Sequence, residues 1–369
     1  MRVIMSGGGT GGHIYPAITI IRAIQKEVQD CEVLFIGTKH GLESDIIPKE
    51  GFDFRTIDVR GFERRLSVSN LHTVIKAIGS VWQSRQLIRN FKPDIVIGTG
   101  GYVCGPVLMA ASMMNIPTMI QEQNVIPGIT NKILARFVDK IAVGYEAAVT
   151  YFTNSDKIFV SGNPIRPEVL SATREEGITS LGLDPAKRTI LISGGSRGAH
   201  SINQAMVEVH QQFAGSPDIQ LLHVTGQNEY NDIVGKLKQS CIDTTKTGNI
   251  IIKPYLYNMP LALAVADLAI FRAGAIGLAE LTVRGIPSIL IPYPYAAENH
   301  QEFNARVMEE QGAAVVIRDV ELDGVRLIKV INELVNNPHR LDDMAVASKQ
   351  MGSAKAAESI AKMALIMIK

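Results

Sequence analysis

Short apolar runs alternate with helical patterns along this 369-residue chain, and most of the runs end at a glycine-rich or polar turn. That alternation predicts a parallel sheet with helices on both faces, because neighbouring parallel strands need a long crossover and each crossover here carries helical periodicity. Ligands of such sheets sit outside the carboxyl ends of the strands, so function is expected in the turns that follow the runs. The runs fall at residues 2–5, 32–36, 54–57, 94–97, 118–120 and 140–143, and again at 189–192, 220–224, 249–252, 268–271 and 287–291. Between the two sets the pattern breaks at 161–167, and the stretch 171–185 is polar with repeated glycines, which reads as an inter-domain linker. A chain of this length exceeds one usual core. Two domains are expected, 1–163 and 164–344, with a C-terminal helix at about 345–369 packing back on the first.

The first run leads into Ser6-Gly7-Gly8-Gly9-Thr10-Gly11-Gly12-His13 and then a helical pattern over 15–28. Glycines there let a second molecule approach the backbone closely, with the amides of a helix start facing it. The segment formally satisfies G-x-G-x-x-G, but only through its surplus of glycines, and the second run ends in Gly37-Thr38 with no acidic residue to hold a ribose. A nicotinamide dinucleotide is therefore not expected. His13 closes the loop, where it reads either as a cap or packing residue or as a catalyst.

A second turn, Gly98-Thr99-Gly100-Gly101-Tyr102-Val103-Cys104-Gly105-Pro106, opens on the same rim. The third, Gln121-Glu122-Gln123-Asn124-Val125-Ile126-Pro127-Gly128, reads either as a hydrogen-bonded turn capping the helical pattern at 129–137 or as part of a site. Convergence of three loops favours the site.

The second half repeats the device. Ser193-Gly194-Gly195-Ser196-Arg197-Gly198-Ala199 follows one run, and Phe271-Arg272-Ala273-Gly274-Ala275-Ile276-Gly277-Leu278-Ala279-Glu280 follows another. Small residues at a helix start favour a pyrophosphate. Glu280 lies where a carboxylate accepts both hydroxyls of a ribose, or else is an ordinary surface glutamate. The segment 295–305 is dense in amide and imidazole groups, which read sugar hydroxyls well.

In the first half, Arg60, Arg64, Arg65, Lys76, Arg85, Arg89 and Lys92 surround an apolar stripe of Leu71, Val74, Ile75, Ile78 and Trp82. Such a stretch can rest on an anionic membrane surface or bury its stripe on the sheet. Val74 and Ile78 read as buried, and Trp82 is left open.

Several classes of function are set aside. A net charge of +1 provides no broad field for nucleic acid. The three cysteines are far apart and outside any C-x-x-C pattern, so neither disulfides nor zinc are expected. No stretch reaches the roughly 18 apolar residues that span a bilayer, and the chain opens directly on a strand-like run, so neither secretion nor membrane spanning is expected. The eight histidines are scattered and no Asp-x-Asp pair or P-loop occurs, so metal-held phosphate and kinase chemistry are not expected. A diphosphate leaving group would then lean on helix N-termini together with Arg166, Arg197 or Arg272.

Gly9-Thr10-Gly11-Gly12-His13, Gly100-Gly101-Tyr102-Val103, Glu122-Gln123-Asn124, Gly162-Asn163-Pro164-Ile165-Arg166, Gly194-Gly195-Ser196-Arg197-Gly198-Ala199 and Asn299-His300-Gln301 resemble, in this order, the MurG family. These are bacterial UDP-N-acetylglucosamine (UDP-GlcNAc) transferases that convert lipid I to lipid II in peptidoglycan synthesis, and the resemblance runs from Met1 to about the final helix. It implies the α/β glycosyltransferase-B fold, two Rossmann-like parallel-sheet domains facing across a cleft, with the acceptor on the N-terminal domain and the donor mainly on the C-terminal one. By the same resemblance Glu280 would hold the ribose, Leu256 and its neighbours the uracil, and Ser196, Ala275, Ile276 and Gly277 the diphosphate. Gln301 would read the sugar, with Arg166 and Asn124 approaching the nucleotide sugar. Thr10, Gly11 and Gly12 would close over the reacting region, and Tyr102 and Asn299 join the substrate-binding candidates.

The implied reaction is inverting transfer from UDP-GlcNAc to the C4 hydroxyl of N-acetylmuramic acid in undecaprenyl-diphospho-MurNAc-pentapeptide (lipid I), without metal or cofactor. His13 and Glu122 are the candidate bases, since both lie on acceptor-domain loops. The resemblance also implies a peripheral place on the cytoplasmic face of the bacterial cell membrane and no nucleic-acid partner. The sequence departs from the family where Phe271 replaces a hydroxyl residue, where Gly277 lies near a usual threonine, and where Gln121 replaces a histidine. The competing readings are a UDP-GlcNAc 2-epimerase, another lipid-directed transferase of the same fold, or a sugar-nucleotide-binding regulator without turnover.

Overall fold

The structure is a computed structural model that describes residues 1–59, 69–153, 155–195, 198–244 and 246–368, with side chains from residue 79 onward in the helix Ser69–Phe91. The chain forms two compact units, Met1–Arg166 with Ser353–Lys369, and Pro167–Gly352. The loop residues Arg60, Arg64 and Arg65 and the side chains of Leu71, Val74, Ile75, Lys76 and Ile78 lie outside the described residues.

The first unit is built on β1 (Arg2–Ser6), β2 (Glu32–Gly37), β3 (Asp53–Thr56), β4 (Ile95–Gly98), β5 (Thr118–Glu122), β6 (Lys140–Val143) and β7 (Ile158–Val160). They form a parallel sheet in the order β3-β2-β1-β4-β5-β6-β7. Both faces are covered, so the strands read as continuous apolar runs whose side chains still alternate. Val3, Met5, Phe35, Ile95 and Ile97 enter one core with the helix Gly11–Glu27. Ile4, Leu34, Ile36 and Val96 enter the other with Val103, Val107 and Leu108. The C-terminal helix Ala356–Met367 adds fully buried Ile360, Ala361 and Ala364 to the first of these cores. A fully buried isoleucine contributes about 1.5–3 kcal/mol.

The second unit holds β8 (Arg188–Ser193), β9 (Ile219–Val224), β10 (Ile250–Lys253), β11 (Leu268–Phe271), β12 (Ser288–Leu290) and β13 (Ala314–Val316). They too are parallel, in the order β10-β9-β8-β11-β12-β13. Ile190, Ile192, Leu221, Leu268 and Ile270 share a core with the helices His200–Phe213 and Gly324–Val335. Each sheet has one place where the order reverses, between β1 and β4 and between β8 and β11, and crevices for ligands open at such switch points.

The fold differs from the sequence reading at four places. The polar stretch read as a linker contains the helix Arg174–Leu181, started by a capping box between Thr173 and Glu176 and stopped by left-handed Gly182 (φ +68°). The short edge strands β7 and β13 carry too few residues to show periodicity. β5 runs on through Gln121 and Glu122, so these two polar residues belong to the sheet, paired with Ala142 and Val143 of β6. The helical tail is two helices, Pro338–Met351 and Ala356–Met367, separated where the Ser353 hydroxyl donates to the Ser161 carbonyl at 3.0 Å.

Candidate active site

In the first unit Ser6 lies in register with Gly98, so the loops after β1 and β4 leave the sheet side by side. The Gly8 amide donates to the Gly100 carbonyl at 3.3 Å. Gly101 is left-handed (φ +86°), and a Cβ there would stand 2.6 Å from the Gly8 carbonyl oxygen, so only glycine permits this approach. Beneath the first loop lies Glu43, which sequence reasoning missed and which is fully buried. It accepts from the Gly9 amide at 3.0 Å, the Thr38 amide at 3.0 Å and the Thr38 hydroxyl at 2.6 Å. Burial pushes its carboxyl up, but these donors outweigh burial and hold it below the usual carboxylate value. The carboxylate absent from the end of β2 thus arrives from the next helix, Glu43–Lys49, and fastens the loop instead of meeting a ribose.

His13 joins this loop to the other two. Its Nδ1 stands 3.0 Å from the Thr99 carbonyl oxygen and 3.0 Å from Gln123 Oε1. Both facing atoms are acceptors, so Nδ1 carries a proton, and in the neutral imidazole Nε2 holds the lone pair. The Thr99 hydroxyl donates to the His13 carbonyl at 2.8 Å and fixes the first turn of the helix against β4. The three loops therefore meet around one imidazole.

Glu122 is placed differently. Its Oε1 accepts from the Asn124 amide (2.9 Å) and side chain (3.2 Å), and its Oε2 accepts from the Gly128 amide (3.1 Å) and Asn131 Nδ2 (2.8 Å). Buried to 1% exposure, it holds the 124–128 loop onto the start of the helix Ile129–Leu134. Asn124 is thereby set at the rim.

Thr10 caps the helix Gly11–Glu27 in extended conformation with no side-chain cap bond, leaving the helix start beside Gly11 and Gly12 open to an anion or hydroxyl. Tyr15, one turn on, lies over Gly11 and under the Arg166 guanidinium, 5.7 Å from its ring centroid. Tyr15 was not singled out in the sequence; an aromatic four residues after a helix-opening glycine is the signal that could have found it. Tyr102, on the second loop, is 41% exposed.

In the second unit Ser193 pairs with Phe271, which brings the loops after β8 and β11 together. Gly198 is left-handed (φ +77°) against the Thr225 carbonyl, where a Cβ would lie at 2.2 Å. Ser196 and Arg197 lie outside the described residues. Arg272, 12% exposed, gives its donors to Asp319 (2.5 Å), the Ile291 and Pro292 carbonyls and the Ser201 hydroxyl. It therefore clamps the rim.

The helix Ala275–Arg284 begins at Gly274 without a side-chain cap, its opening residues Ala275, Ile276 and Gly277 at the rim. Two of the departures are neighbours, since a Cβ on Gly277 would lie 3.9 Å from Phe271 Cδ1. Glu280 is buried to 7% exposure on the same helix. Gln301 Oε1 accepts from the Tyr293 amide at 2.9 Å. Asn299 follows Glu298, both left-handed (φ 53° and 54°), a conformation that costs of order 1–3 kcal/mol per non-glycine residue and concentrates at functional loops. Leu256 is half-buried beyond β10, between Tyr255 and Tyr257, whose rings meet edge to face at 4.9 Å.

Behind the 193–199 loop runs a buried polar chain that the sequence did not disclose. Asn203 donates to the Thr225 carbonyl (2.9 Å) and Glu229 Oε2 (2.8 Å), which turns its Oδ1 to His223 Nε2 at 3.0 Å. His223 Nδ1 is then bare and accepts from His210 Nε2 at 3.0 Å. His210 Nδ1 is left buried without a partner among the described residues. Burial pushes His210 down to about 3, and burial followed by the neighbouring His210 holds His223 well below the usual range. Among the described residues no group of three metal-ligating side chains is assembled.

Residues 3–143 match the glycosyltransferase family 28 N-terminal domain and residues 189–360 its C-terminal domain. A relative from Desulforamulus reducens, 49% identical over 362 residues that cover 98% of this chain and 97% of the relative, is named UDP-N-acetylglucosamine–N-acetylmuramyl-(pentapeptide) pyrophosphoryl-undecaprenol N-acetylglucosamine transferase. Among solved structures, MurG of Acinetobacter baumannii is similar with a TM-score of 0.77 at 26% identity, covering 99% of each chain. A putative UDP-N-acetylglucosamine 2-epimerase of Listeria monocytogenes, at 17% identity and TM-score 0.71 over 97% of this chain and 94% of that one, shares the fold.

Proposed function

The chain belongs to the MurG branch of glycosyltransferase family 28, and we propose that it moves GlcNAc from UDP-GlcNAc to the C4 hydroxyl of MurNAc in lipid I, making lipid II for peptidoglycan. It is a glycosyltransferase with the two Rossmann-like units of the glycosyltransferase-B fold. The near-full-length relationship to transferases of that name carries the reading, and the chemistry of the rims supports it.

His13 acts as the general base. With its proton on Nδ1 held by Thr99 and Gln123, its Nε2 takes the proton of the acceptor hydroxyl as that oxygen attacks the anomeric carbon and the UDP oxygen departs. Glu122 serves as the anchor of the loop that carries Asn124, since four donors already meet its carboxylate. Thr10, Gly11, Gly12 and Tyr102 line the acceptor rim. On the donor side the uncapped start at Ala275, Ile276 and Gly277 faces the diphosphate, for which the resemblance also names Ser196, Glu280 takes the ribose, Leu256 flanks the uracil, and Asn299 and Gln301 read the sugar. Arg166, steadied by Tyr15, adds positive charge toward the nucleotide sugar. The test is UDP release: it is expected only when lipid I is present, whereas release without acceptor, or conversion of the sugar alone, would point to an epimerase or hydrolase.

No helix among the described residues is long and apolar enough to cross a membrane. Contact with the cytoplasmic membrane surface is assigned to a patch on the first unit. Trp82 is 62% exposed, and its helix Ser69–Phe91 instead buries Ser80, Ser84 and Ile88 at four-residue spacing. The helix Cys104–Met113 packs against the Trp82 helix and ends at exposed Met113, and the segment that follows exposes Ile129, Ile133 and Phe137 with the cations Lys132 and Arg136 among them. The Ser112 hydroxyl ties these segments together by donating to the Phe137 carbonyl at 2.9 Å. Replacing Trp82, Ile129 and Ile133 together by serine is expected to weaken partition onto anionic vesicles at least about tenfold, since one buried side chain of this kind contributes roughly 1.5–3 kcal/mol. Unchanged sedimentation with vesicles would remove the assignment.

A further inference from the structure

We infer that Gln121 is a positioning residue for His13: through a chain of buried carboxamides it fixes the imidazole proton on Nδ1, and it does so independently of pH because amides do not titrate. The inference rests on His13 as the base.

The direction of every amide in the chain is set by its neighbours. Gln123 Nε2 faces three acceptors, the Thr99 carbonyl at 2.6 Å, the Gln121 carbonyl at 3.1 Å and Gln121 Oε1. Turning this amide over would place its oxygen against three oxygens, so Oε1 is the atom that meets His13 Nδ1. Gln121 Oε1 is in turn held toward Gln123 because Gln121 Nε2 donates to Asn163 Oδ1 at 3.0 Å and to the Glu122 carbonyl at 3.2 Å. Asn163 Nδ2 closes the circuit on the Gln123 carbonyl at 2.9 Å. Gln121, Gln123 and Asn163 are exposed by 0%, 2% and 4%, so no water competes for these bonds.

The charged and titratable groups around His13 do not replace this control. Glu43 is turned to Gly9 and Thr38, and Glu122 to Asn124, Gly128 and Asn131. Cys104 lies beneath Gly100, its thiol pushed up to about 11 by burial. Arg166 lies over the Tyr15 ring, and Tyr102 stands on the second loop. A histidine at 121, usual in the resembling family, would behave differently. Once protonated it offers only donors to Gln123 and draws the Gln123 oxygen away from His13, against the Thr99 and residue-121 carbonyls that otherwise hold the NH2 in place. The proton of His13 would move to Nε2 and the base would be blocked.

The experiment uses the full chain in wild-type and Gln121→His forms, with two readouts. Nitrogen NMR of the imidazoles, without substrate, reports the tautomer of His13, and the pH profile of kcat/KM reports how many protons block the enzyme. For the wild type a neutral Nδ1–H imidazole and a one-proton acid limb are expected. For Gln121→His, the loss of kcat is expected to grow as the pH falls, with an acid limb that steepens to two protons where the second imidazole, buried and so titrating below the usual value, takes up its proton. A wild-type His13 protonated on Nε2, or an acid limb unchanged in Gln121→His, would overturn the inference, and so would a loss of rate equal at every pH. Should that variant not fold, Gln123→Met removes the acceptor Oε1, and a measurable share of the Nε2–H tautomer is expected; an unchanged spectrum again overturns it. If His13→Ala turns over normally the base reading fails, while the NMR result still decides the tautomer on its own.

Discussion

Replacing His13 by alanine is expected to lower kcat by about 10²–10⁴-fold, the range for loss of a positioned general base, with little change in KM for UDP-GlcNAc. The imidazole is held by the first turn of the helix Gly11–Glu27, by the Thr99 carbonyl and by Gln123, and its Nε2 is left to act. Truncation leaves the backbone of the loop in place, because the Thr99 hydroxyl bonds the His13 carbonyl and not its side chain. The effect therefore belongs to the chemical step. Glu122→Gln is expected to behave oppositely, lowering the thermal midpoint of the protein, since one of its carboxylate oxygens becomes a donor facing donors from Asn124 or from Gly128 and Asn131. Steady-state rates at saturating donor and acceptor distinguish the two, and an unchanged kcat in His13→Ala would end the assignment of that residue.

Acid is expected to weaken the protein through the second unit. His210 and His223 are neutral in the folded state, with His210 held to about 3 and His223 well below 6.5, whereas in the unfolded chain both titrate near 6.5. Below that value the unfolded state binds protons that the folded state refuses, so stability is full above about pH 6.5 and falls as the pH drops toward the folded values. The slope is about 1.4 kcal/mol per pH unit for each histidine. Urea midpoints measured between pH 7.5 and pH 5 are expected to fall, and His210→Met is expected to remove roughly half of the slope. A wild-type midpoint that does not move over this window would contradict the tautomer chain from Asn203 to His210.

Much of the architecture is legible in the sequence, because strands buried on both faces have to be apolar throughout and the helices between them have to be amphipathic. The rim loops are legible as well, since close backbone approach at Gly101 and Gly198 admits no side chain. What escapes is of another kind. The helix Arg174–Leu181 hides in a polar stretch, although Thr173-x-x-Glu176 is a capping box that could have announced it. The edge strands β7 and β13 are set by pairing with β6 and β12, and three residues carry no period of their own.

The site is legible as a set of loops but not as a set of roles. His13 and Glu122 look equivalent as polar residues in adjacent turns, and only the folded chain shows that four donors already meet the Glu122 carboxylate. Glu43 reaches Gly9 from 34 residues away, and His223 meets His210 and Asn203 from 13 and 20 residues away, and no local pattern marks such contacts. Arg272 reads as a candidate phosphate ligand, and its partners Asp319 and Ser201 lie too far away in sequence to be read from it.

The central claim is transfer of GlcNAc to the MurNAc of lipid I with His13 as base and no metal. It is tested most directly by incubating the full chain with labelled UDP-GlcNAc and lipid I, with and without a chelator, and identifying the lipid product. A labelled β-1,4-linked disaccharide lipid, formed equally in both conditions, is expected. Donor binding without any labelled lipid, or a reaction abolished by the chelator, would contradict the claim.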